Sequence, residues 1–195
     1  MKRAFDIFAS FFGLLILLIP MLLLMLWVAL DSRGGVFYRQ MRVGRYGKDF
    51  RLWKFRTMRP GSDKKGLLTV GGRDSRITRA GYFLRKTKMD ELPQLINVLT
   101  GDMSLVGPRP EVRKYVDLYT EEQKKVLLAR PGITDYASLE YIDENEILGK
   151  AEDPERTYIE EIMPAKLKLN MRYIEEMGLG TDLKIIFRTI GKILS

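Results

Sequence analysis

The feature that most constrains this chain is its first segment, residues 1–30, which is almost wholly apolar from Ile7 to Leu30 after two basic residues, Lys2 and Arg3. Roughly 20 apolar residues cross the hydrocarbon core of a bilayer, so length alone favours a spanning helix. A signal peptide fits less well, because the apolar run is too long and no small-residue cleavage site follows it. A helix buried in the protein core is the remaining alternative.

Two properties of the same segment favour a re-entrant anchor. Pro20 lies inside the run, where its ring and its missing N–H predict a break in the helix. Basic residues flank both ends, so a spanning helix in either orientation would leave one basic cluster on the wrong side of the membrane. The cluster after the run consists of Arg33, Arg39, Arg42 and Arg45. We therefore predict a re-entrant membrane helix–break–helix over residues 1–30, broken at Pro20, with residues 31–195 outside the bilayer.

The composition restricts the chemistry that the chain can perform, because it contains neither histidine nor cysteine. Without cysteine there is no disulfide framework, thiolate nucleophile or zinc cluster. Without histidine the commonest general base and transition-metal ligand are missing. Reactions must therefore use carboxylates, hydroxyls, Lys, Arg or Tyr, and a bound metal should be a hard, oxygen-ligated ion such as Mg²⁺.

The net charge of +8 and the pI near 9.6 favour an anionic partner. Much of the basic charge lies in VFYRQMRV and DFRLWKFRTM, two segments whose β-branched and aromatic residues predict a small antiparallel β-hairpin. Basic residues interleaved with aromatic ones are typical of nucleic-acid binding, but also of a ribbon that lies on anionic lipid. Next to a membrane anchor we favour lipid or a phosphorylated substrate, and no nucleic acid is expected.

Two further segments can be interpreted from composition. Residues 60–76 are rich in Gly, Ser, Asp and Lys, which predicts a mobile loop and a candidate lid. The C-terminal TDLKIIFRTIGKILS predicts an amphipathic helix that starts at Thr181 as N-cap. Its basic face favours a position in the lipid interface, although the apolar face could instead close the core. That apolar face is formed by Leu183, Ile186, Phe187, Ile190 and Leu194.

The stretch KMDELPQLINVLTGDMSLVGPRPE, residues 88–111, predicts a short helix. Its Leu92, Leu95, Ile96 and Leu99 recur at the spacing of one buried helix face. Gly101 stands where a C-terminal cap belongs, Asp90 is the expected N-cap, and Pro93 is tolerated only in a first turn.

Asp90 and Glu91 form an adjacent pair of carboxylates at the predicted start of this helix. Unpaired N–H groups and the helix dipole favour anions there, so both carboxylates are expected to stay ionised at neutral pH. Consecutive helical side chains point about 100° apart, which predicts different tasks: one carboxylate attacks and the other holds a metal. Taken alone, D-E-L-P is more often an ordinary capped helix start, and GPRP is usually a stiff turn.

The combination of motifs resembles one family. KTKMDELPQLINVLTGDMSLVGPRPE, preceded by LWKFRTM and followed by ARPGIT, is similar to the bacterial sugar transferases known as small monotopic phosphoglycosyl transferases. The similarity runs in order from the anchor to the basic C-terminal helix, and we expect the small, core-only form. It implies an α+β, mostly helical fold with a re-entrant anchor, a small hairpin and amphipathic interface helices. Residues 31–195 would be a cytoplasmic catalytic domain at the bacterial inner membrane.

The resemblance also implies a reaction and its residues. A UDP-sugar would donate sugar 1-phosphate to a polyprenol phosphate, typically undecaprenyl phosphate, at the first membrane step of glycoconjugate biosynthesis. Asp90 would attack the sugar-bearing phosphate and form a covalent phosphosugar-aspartyl intermediate with release of UMP. Mg²⁺ is the implied cofactor and Glu91 its ligand. Our candidates for contact with phosphate or nucleotide, through bidentate guanidinium geometry, are Arg56, Arg85, Arg109 and Arg130.

Other interpretations stay open on the sequence. A membrane-tethered basic module could bind lipid or nucleic acid without catalysis, and the same carboxylates could serve a Mg²⁺-dependent phosphohydrolase. A homo-oligomer is a further open alternative. After RPGIT the chain turns acidic, and we expect these carboxylates on a solvated face rather than at sugar hydroxyls: Asp135, Glu140 and Asp143.

Overall fold

The computed structural model describes residues 1–62 and 74–194, so most of the predicted loop over residues 60–76, and with it the lid interpretation, lies outside the described residues, as does the Leu194 side chain. The helices are α1 (Lys2–Ile16), α2 (Leu18–Asp31), α3 (Arg79–Lys86), α4 (Gln94–Thr100), α5 (Arg113–Val116), α6 (Tyr136–Glu140), α7 (Glu144–Lys150), α8 (Pro154–Thr157), α9 (Met163–Glu175) and α10 (Leu179–Leu194). The strands are β1 (Phe37–Val43), β2 (Asp49–Phe55), β3 (Ser104–Val106) and β4 (Gly132–Thr134). The predicted mostly helical α+β architecture is confirmed.

The apolar N-terminal segment folds as two helices, α1 and α2, bent by 63°. Within the described residues no single helix has the length and apolarity of a membrane span, whereas this bent pair has both when taken together. The predicted break at Pro20 is displaced, because the bend lies at Leu17 and Pro20 stands in the first turn of α2. A proline ring clashes with the carbonyl four residues earlier, here that of Ile16, which is where α1 ends.

Polar contacts at the start of α1 join the anchor to the rest of the chain. The Lys2 ammonium donates to Asp182 of α10 at 2.5 Å and to the Val106 carbonyl at 3.0 Å. The buried carboxylate of Asp6 accepts from the Ser104 hydroxyl at 2.8 Å and from the Leu105 N–H at 3.2 Å. These contacts fix α1 against β3 and α10, so the anchor and the remaining chain are held in one orientation.

The predicted hairpin is confirmed, with β1 and β2 paired antiparallel from Phe37 opposite Phe55 to Val43 opposite Asp49. The hairpin is joined to α4 by one buried side chain. Asn97 accepts from the Trp53 N–H at 2.9 Å and donates to the Arg51 carbonyl at 2.9 Å. This pair of bonds satisfies backbone groups of β2 and sets the position of α4 beneath the strand.

The prediction that the leucine and isoleucine side chains form the buried face of α4 is wrong. Its buried side chains are Gln94, Asn97 and Val98, while Leu92, Leu95, Ile96 and Leu99 are only half-buried. The reason is that the hairpin covers the face containing Asn97, and α1 packs alongside this helix. Leu92 and Leu95 line a cavity that is described below.

Of the two capping predictions for α4, the one at its C-terminal end is confirmed and the one at its N-terminal end is wrong. Gly101 has a left-handed φ of 100° at the C-terminal cap, as predicted. The N-cap prediction for Asp90 is wrong, because Pro93 flanks the first residue of α4 and Asp90 lies in a separate 3₁₀ turn, Met89–Glu91. The carboxylate pair therefore precedes the helix by about a turn.

A short parallel pairing that the sequence did not predict brings the GPRP and RPGIT motifs together. β3 pairs with β4, Ser104 opposite Gly132 and Val106 opposite Thr134. The backbones approach so closely that a Cβ on Gly132 would lie 2.0 Å from the Gly107 nitrogen, so only glycine fits. Asp135 is fully buried rather than solvated, because it accepts from the Arg109 N–H at 3.1 Å and from the Ser138 N–H at 2.6 Å.

The amphipathic C-terminal helix is present as α10, but it begins at Leu179 and not at Thr181. The Thr181 hydroxyl donates to the Glu176 carbonyl at 2.8 Å instead of capping the helix. One face of α10 is buried through Asp182 and Ile185. Leu183, Phe187 and Ile190 on another face are exposed.

The contacts of Asp6 predict a measurable contribution to stability. Asp6→Ala leaves the Ser104 hydroxyl and the Leu105 N–H without their acceptor, and we expect the free energy of unfolding to fall by about 2 kcal/mol. Denaturant unfolding in detergent measures the change. Asp117→Ala, which removes an exposed carboxylate, should stay within about 0.5 kcal/mol of the parent chain. Equal losses in the two variants would contradict this assignment.

Candidate active site

A polar cavity of about 350 Å³ lies between the hairpin, the Met89–Glu91 turn and the GPRP segment. Among the described residues, nine Lys or Arg and four Asp or Glu side chains line it. Such an excess of positive charge favours a strongly anionic ligand. Five of the residues predicted from the sequence are brought together here: Arg56, Arg85, Asp90, Glu91 and Arg109.

Glu91 is the most strongly paired carboxylate of this cavity. Arg109 holds both of its oxygens, with Nη1 donating to Oε2 at 3.2 Å and Nη2 donating to Oε1. The Lys54 ammonium donates to Oε1 at 2.8 Å. Burial acts to raise the pKa of Glu91, but Arg109 and Lys54 outweigh it and hold that pKa well below its usual range. Glu91 is therefore ionised, and its carboxylate is paired with two cations, Arg109 and Lys54.

Asp90 lies in a different electrostatic environment although it is the next residue. It is 8% exposed, and Lys54 Nζ lies 4.0 Å from its Oδ2, beyond hydrogen-bond distance. Burial raises the pKa of Asp90 above its usual range, with the neighbouring Glu91 charge in the same direction and Lys54 opposing. The sequence predicted that both carboxylates stay ionised, and the structure adds that their pKa values shift in opposite directions because Arg109 and Lys54 hydrogen-bond to Glu91.

The wall beside Asp90 is formed by α3 and the end of the hairpin. Arg85 of α3 donates from Nε to the Thr57 hydroxyl at 2.9 Å. Its positive charge acts to lower the pKa of Asp90, although burial and Glu91 act the other way. Arg85 and Arg109 thus reach the cavity near Asp90 from two separate parts of the chain.

Arg56 lines the cavity but its guanidinium is engaged in holding the anchor. Its Nη2 donates to the Ser32 carbonyl at 2.7 Å and to the Val28 carbonyl at 3.3 Å, and its Nη1 donates to the Arg33 carbonyl. These carbonyls lie at the C-terminal end of α2, where a cation stabilises the helix dipole. Both Nη atoms are therefore engaged at the end of α2, and a phosphate contact by Arg56 stays a prediction.

Arg130 is not brought to the polar cavity. The charged groups that act on it are Arg3, Arg45 and Asp6, on the side of the molecule where α1 begins. The RPGIT segment contributes through its backbone instead, since the Gly132 N–H donates to the Pro108 carbonyl at 3.0 Å. That bond positions the GPRP segment and, with it, Arg109.

Six cations that line the cavity were not predicted as site residues: Arg42, Lys54, Arg59, Arg76, Lys88 and Lys166. Lys54 could have been found, because alternation along β2 places it on the same face as buried Leu52. Lys88 has a left-handed φ of 55°, a strained conformation for a residue with a side chain, two positions before Asp90. Lys166 pairs with Glu144 at 2.6 Å, and no local pattern indicates that α9 and α7 meet at this cavity.

The described residues fit a protein-bound metal only in part. Nowhere in residues 1–62 and 74–194 do three or more Asp or Glu side chains form a group placed to hold an ion. Glu91, the predicted ligand, already accepts from Arg109 and Lys54, and an incoming metal ion would compete with these two cations for its oxygens. Mg²⁺ commonly retains waters and uses one or two carboxylates together with substrate phosphates, so a metal here would depend on the bound substrate.

Comparison with known proteins gives a consistent result. The family model described as bacterial sugar transferase matches residues 1–195. The chain is 38% identical over 194 residues to the uncharacterized sugar transferase EpsL of Bacillus subtilis, covering 100% of this chain and 87% of that protein.

Two further relatives carry names that state a reaction. An N-acetylgalactosaminephosphotransferase of Aeromonas hydrophila, named for UDP-N-acetylgalactosamine and undecaprenyl phosphate, is 38% identical over 197 residues. A UDP-glucose:undecaprenyl-phosphate glucose-1-phosphate transferase of Escherichia coli is 36% identical over 195 residues. These matches cover 100% and 98% of this chain but only 44% and 40% of the two relatives. The chain therefore spans less than half the length of these relatives.

The two carboxylates predict opposite effects on stability. The folded pKa of Asp90 lies above its ordinary 3.8, so ionised Asp90 costs stability as pH rises, and Asp90→Asn should be more stable than the parent at pH 7. The folded pKa of Glu91 lies below its ordinary 4.5, so Glu91→Gln should lose about 3 kcal/mol at pH 7. Denaturant unfolding at several pH values measures both.

The pH dependence of unfolding provides an internal control for the Asp90 and Glu91 variants. The gain of Asp90→Asn should vanish below pH 3.8, where both states are protonated. The loss in Glu91→Gln should shrink as pH falls below 4.5, because the carboxylate stabilises the fold only while it is ionised. Destabilisation of the same sign in both variants at pH 7 would contradict the division between the two residues.

Proposed function

This chain belongs to the bacterial sugar transferase family, and from that premise we propose that it is a phosphoglycosyl transferase. It would move sugar 1-phosphate from a UDP-sugar to a polyprenol phosphate, with undecaprenyl phosphate as acceptor. The observation that carries the proposal is the unequal environment of Asp90 and Glu91 in a cation-rich cavity. Glu91 is neutralised by two cations, whereas Asp90 is left as a desolvated carboxylate of raised pKa, which is the better nucleophile.

The first step of the proposal takes place on the donor. A carboxylate oxygen of Asp90 forms a bond to the sugar-bearing phosphorus, and the bond between that phosphorus and the bridging oxygen breaks. UMP leaves with the bridging oxygen, and the sugar phosphate stays bound to Asp90 as an acyl phosphate. Arg85 and Arg109 would contact the phosphate oxygens as the charge shifts.

The second step regenerates the carboxylate. An oxygen of the lipid phosphate attacks the same phosphorus, and the bond from phosphorus to Asp90 breaks. The product is a lipid diphosphate sugar, and Asp90 returns as an ionised carboxylate without net loss or gain of protons at the residue. Two displacements at one phosphorus replace a direct encounter of two anionic substrates, which is the advantage of a covalent intermediate.

Glu91 and its two cations would act as positioning groups. The ion pairs with Arg109 and Lys54 fix the GPRP segment and β2 at the same turn that presents Asp90. Fixed charges of this kind stabilise developing negative charge without reorganisation. A Mg²⁺ ion, when bound with the diphosphate, would supply charge neutralisation, and Glu91 is its proposed ligand.

The proposed location is the cytoplasmic face of a bacterial inner membrane. The bent pair α1 and α2 exposes large apolar side chains, among them Phe8, Phe12 and Leu23. On α10 Phe187 is 70% exposed while basic residues occupy another face of the helix. Apolar surface of this extent is unfavourable in water and is suited to a bilayer interface.

The covalent intermediate is tested by mass spectrometry of the full chain in detergent. We expect incubation with a panel of UDP-sugars and Mg²⁺, without lipid acceptor, to add the mass of one phosphosugar at Asp90. UMP should appear in an amount equal to the protein and no more, because the second step lacks its acceptor. Asp90→Asn should form no adduct, and Asp117→Asn, at an exposed position, should behave as the parent chain.

Other results would select the competing interpretations. Continuous UMP release without lipid would indicate a phosphohydrolase. Binding of a UDP-sugar with neither an adduct nor lipid-dependent turnover, and unchanged in Asp90→Asn, would indicate a binding module that does not catalyse transfer.

Metal removal tests the proposed cofactor. Chelation of Mg²⁺ should lower lipid-dependent turnover by roughly 100-fold or more, because charge on the diphosphate would no longer be neutralised. Excess Mg²⁺ should restore it. Turnover that is indifferent to the chelator would show that the arginines and Lys54 suffice, and would remove Mg²⁺ from the proposal.

A further inference from the structure

A second cavity, of about 640 Å³, adjoins the polar one and differs from it in character. Its walls come from α1, α4, α6 and α10 and from the segment around β4. The side chains that line it are mainly apolar, and they include Phe5, Ala9, Leu95, Ile133, Ile186 and Ile190. The cavity contributes to the half-burial of Leu92 and Leu95, since both side chains line it.

The apolar and polar cavities meet at a charged boundary. Six residues line both of them: Lys88, Glu91, Arg109, Glu144, Asn145 and Lys166. Three of these are cations, and they come from three separate parts of the chain. The apolar cavity ends at Lys88, Arg109 and Lys166. It is therefore complementary to a ligand with a hydrocarbon chain and an anionic head group.

The apolar cavity is also continuous with the surface that is suited to a bilayer. Ile190 lines the cavity and is 49% exposed, so the cavity opens along α10. The same two helices, α1 and α10, expose Phe8, Phe11 and Phe187 to the outside. A lipid could therefore enter sideways from the membrane without passing its chain through water.

We propose that this apolar cavity binds the phosphate-proximal part of the acceptor's polyprenyl chain, and that Lys88, Arg109 and Lys166 receive its phosphate. This rests on the proposed function, and it assigns the two substrates to two cavities. The nucleotide sugar occupies the polar cavity, the lipid phosphate arrives from the apolar one, and the two cavities meet at Glu91, next to Asp90. A cavity of this size holds a drug-sized portion of a ligand, and the rest of the chain stays in the bilayer.

If the lipid phosphate binds at the boundary of the two cavities, the charged residues there select the head group. Lys166 donates to Glu144 at 2.6 Å and Arg109 is paired with Glu91, so both cations are already positioned and partly neutralised before a lipid arrives. A dianionic phosphate competes with these carboxylates for the cations. A neutral lipid gains nothing from that exchange, which selects for a phosphorylated head group.

Filling the cavity without changing its charge provides the test. Ala9→Trp and Ile190→Trp place a large side chain in the apolar cavity and keep the helices apolar. In the full chain in nanodiscs we expect each to raise KM for undecaprenyl phosphate by about tenfold or more, the scale of a poorly fitted hydrophobic pocket. KM for the UDP-sugar should change by less than about twofold, since that substrate uses the other cavity.

Matched controls on the same helices separate this effect from a general effect on membrane insertion. Ala4→Trp on α1 and Phe187→Trp on α10 lie at exposed positions outside the cavity lining, and both KM values should remain those of the parent chain. Cavity variants that behave as these controls do, or that raise both KM values equally, would overturn the proposal.

A measurement without turnover keeps this inference distinct from the proposed function. A photoreactive undecaprenyl phosphate analogue, with the reactive group near the phosphate, should crosslink to peptides of α4 and α10 that contain Leu95 and Ile190. Ala9→Trp should reduce those crosslinks, while Ala4→Trp should not. Crosslinks confined to the outer surface of α1 and α2 would overturn the cavity assignment. Crosslinks in the cavity with no transfer from any UDP-sugar would retain it and reject the transferase.

Discussion

The ion cluster of Arg109, Glu91 and Lys54 is the interaction on which the site depends. Each member belongs to a different part of the chain: the GPRP segment, the 3₁₀ turn before α4, and strand β2. Burying three charges is costly unless each is paired and hydrogen-bonded, and here two cations share one carboxylate with defined geometry. The cluster therefore fixes the cavity only when hairpin, turn and GPRP segment are all in place.

The division between the two carboxylates follows from that cluster. Burial raises the pKa of Asp90, and Lys54 offsets this only in part because its ammonium hydrogen-bonds to Glu91 and lies 4.0 Å from Asp90. Burial of the Asp90 carboxylate costs folding stability at the position where the proposed reaction needs a reactive carboxylate, a common conflict between activity and stability. The same cluster lies at the boundary of the two cavities, so the proposed donor and acceptor meet where the charges are fixed.

The bent helix pair is joined to the rest of the chain by hydrogen bonds between side chains and backbone groups. Arg56 binds carbonyls at the end of α2, and Lys2 and Asp6 bind groups around β3 at the start of α1. Both ends of the bent helix pair are thus held by side chains, and the bend at Leu17 lies between them. Two fixed ends set the orientation of the cavities relative to the apolar surface of the anchor.

The sequence by itself determined the features that depend on neighbouring residues. These are the apolar run, the hairpin, the Gly101 cap and the proximity of Asp90 to Glu91. Only the tertiary structure decided which carboxylate is neutralised, which face of α4 is buried, that Asp135 is buried, and that Arg130 lies elsewhere. The physical reason is that periodicity and capping act over a few residues, whereas desolvation and ion pairing depend on groups that are distant in the chain. The parallel pairing of β3 with β4 is the clearest case, because two glycines far apart in sequence allow the contact that positions Arg109.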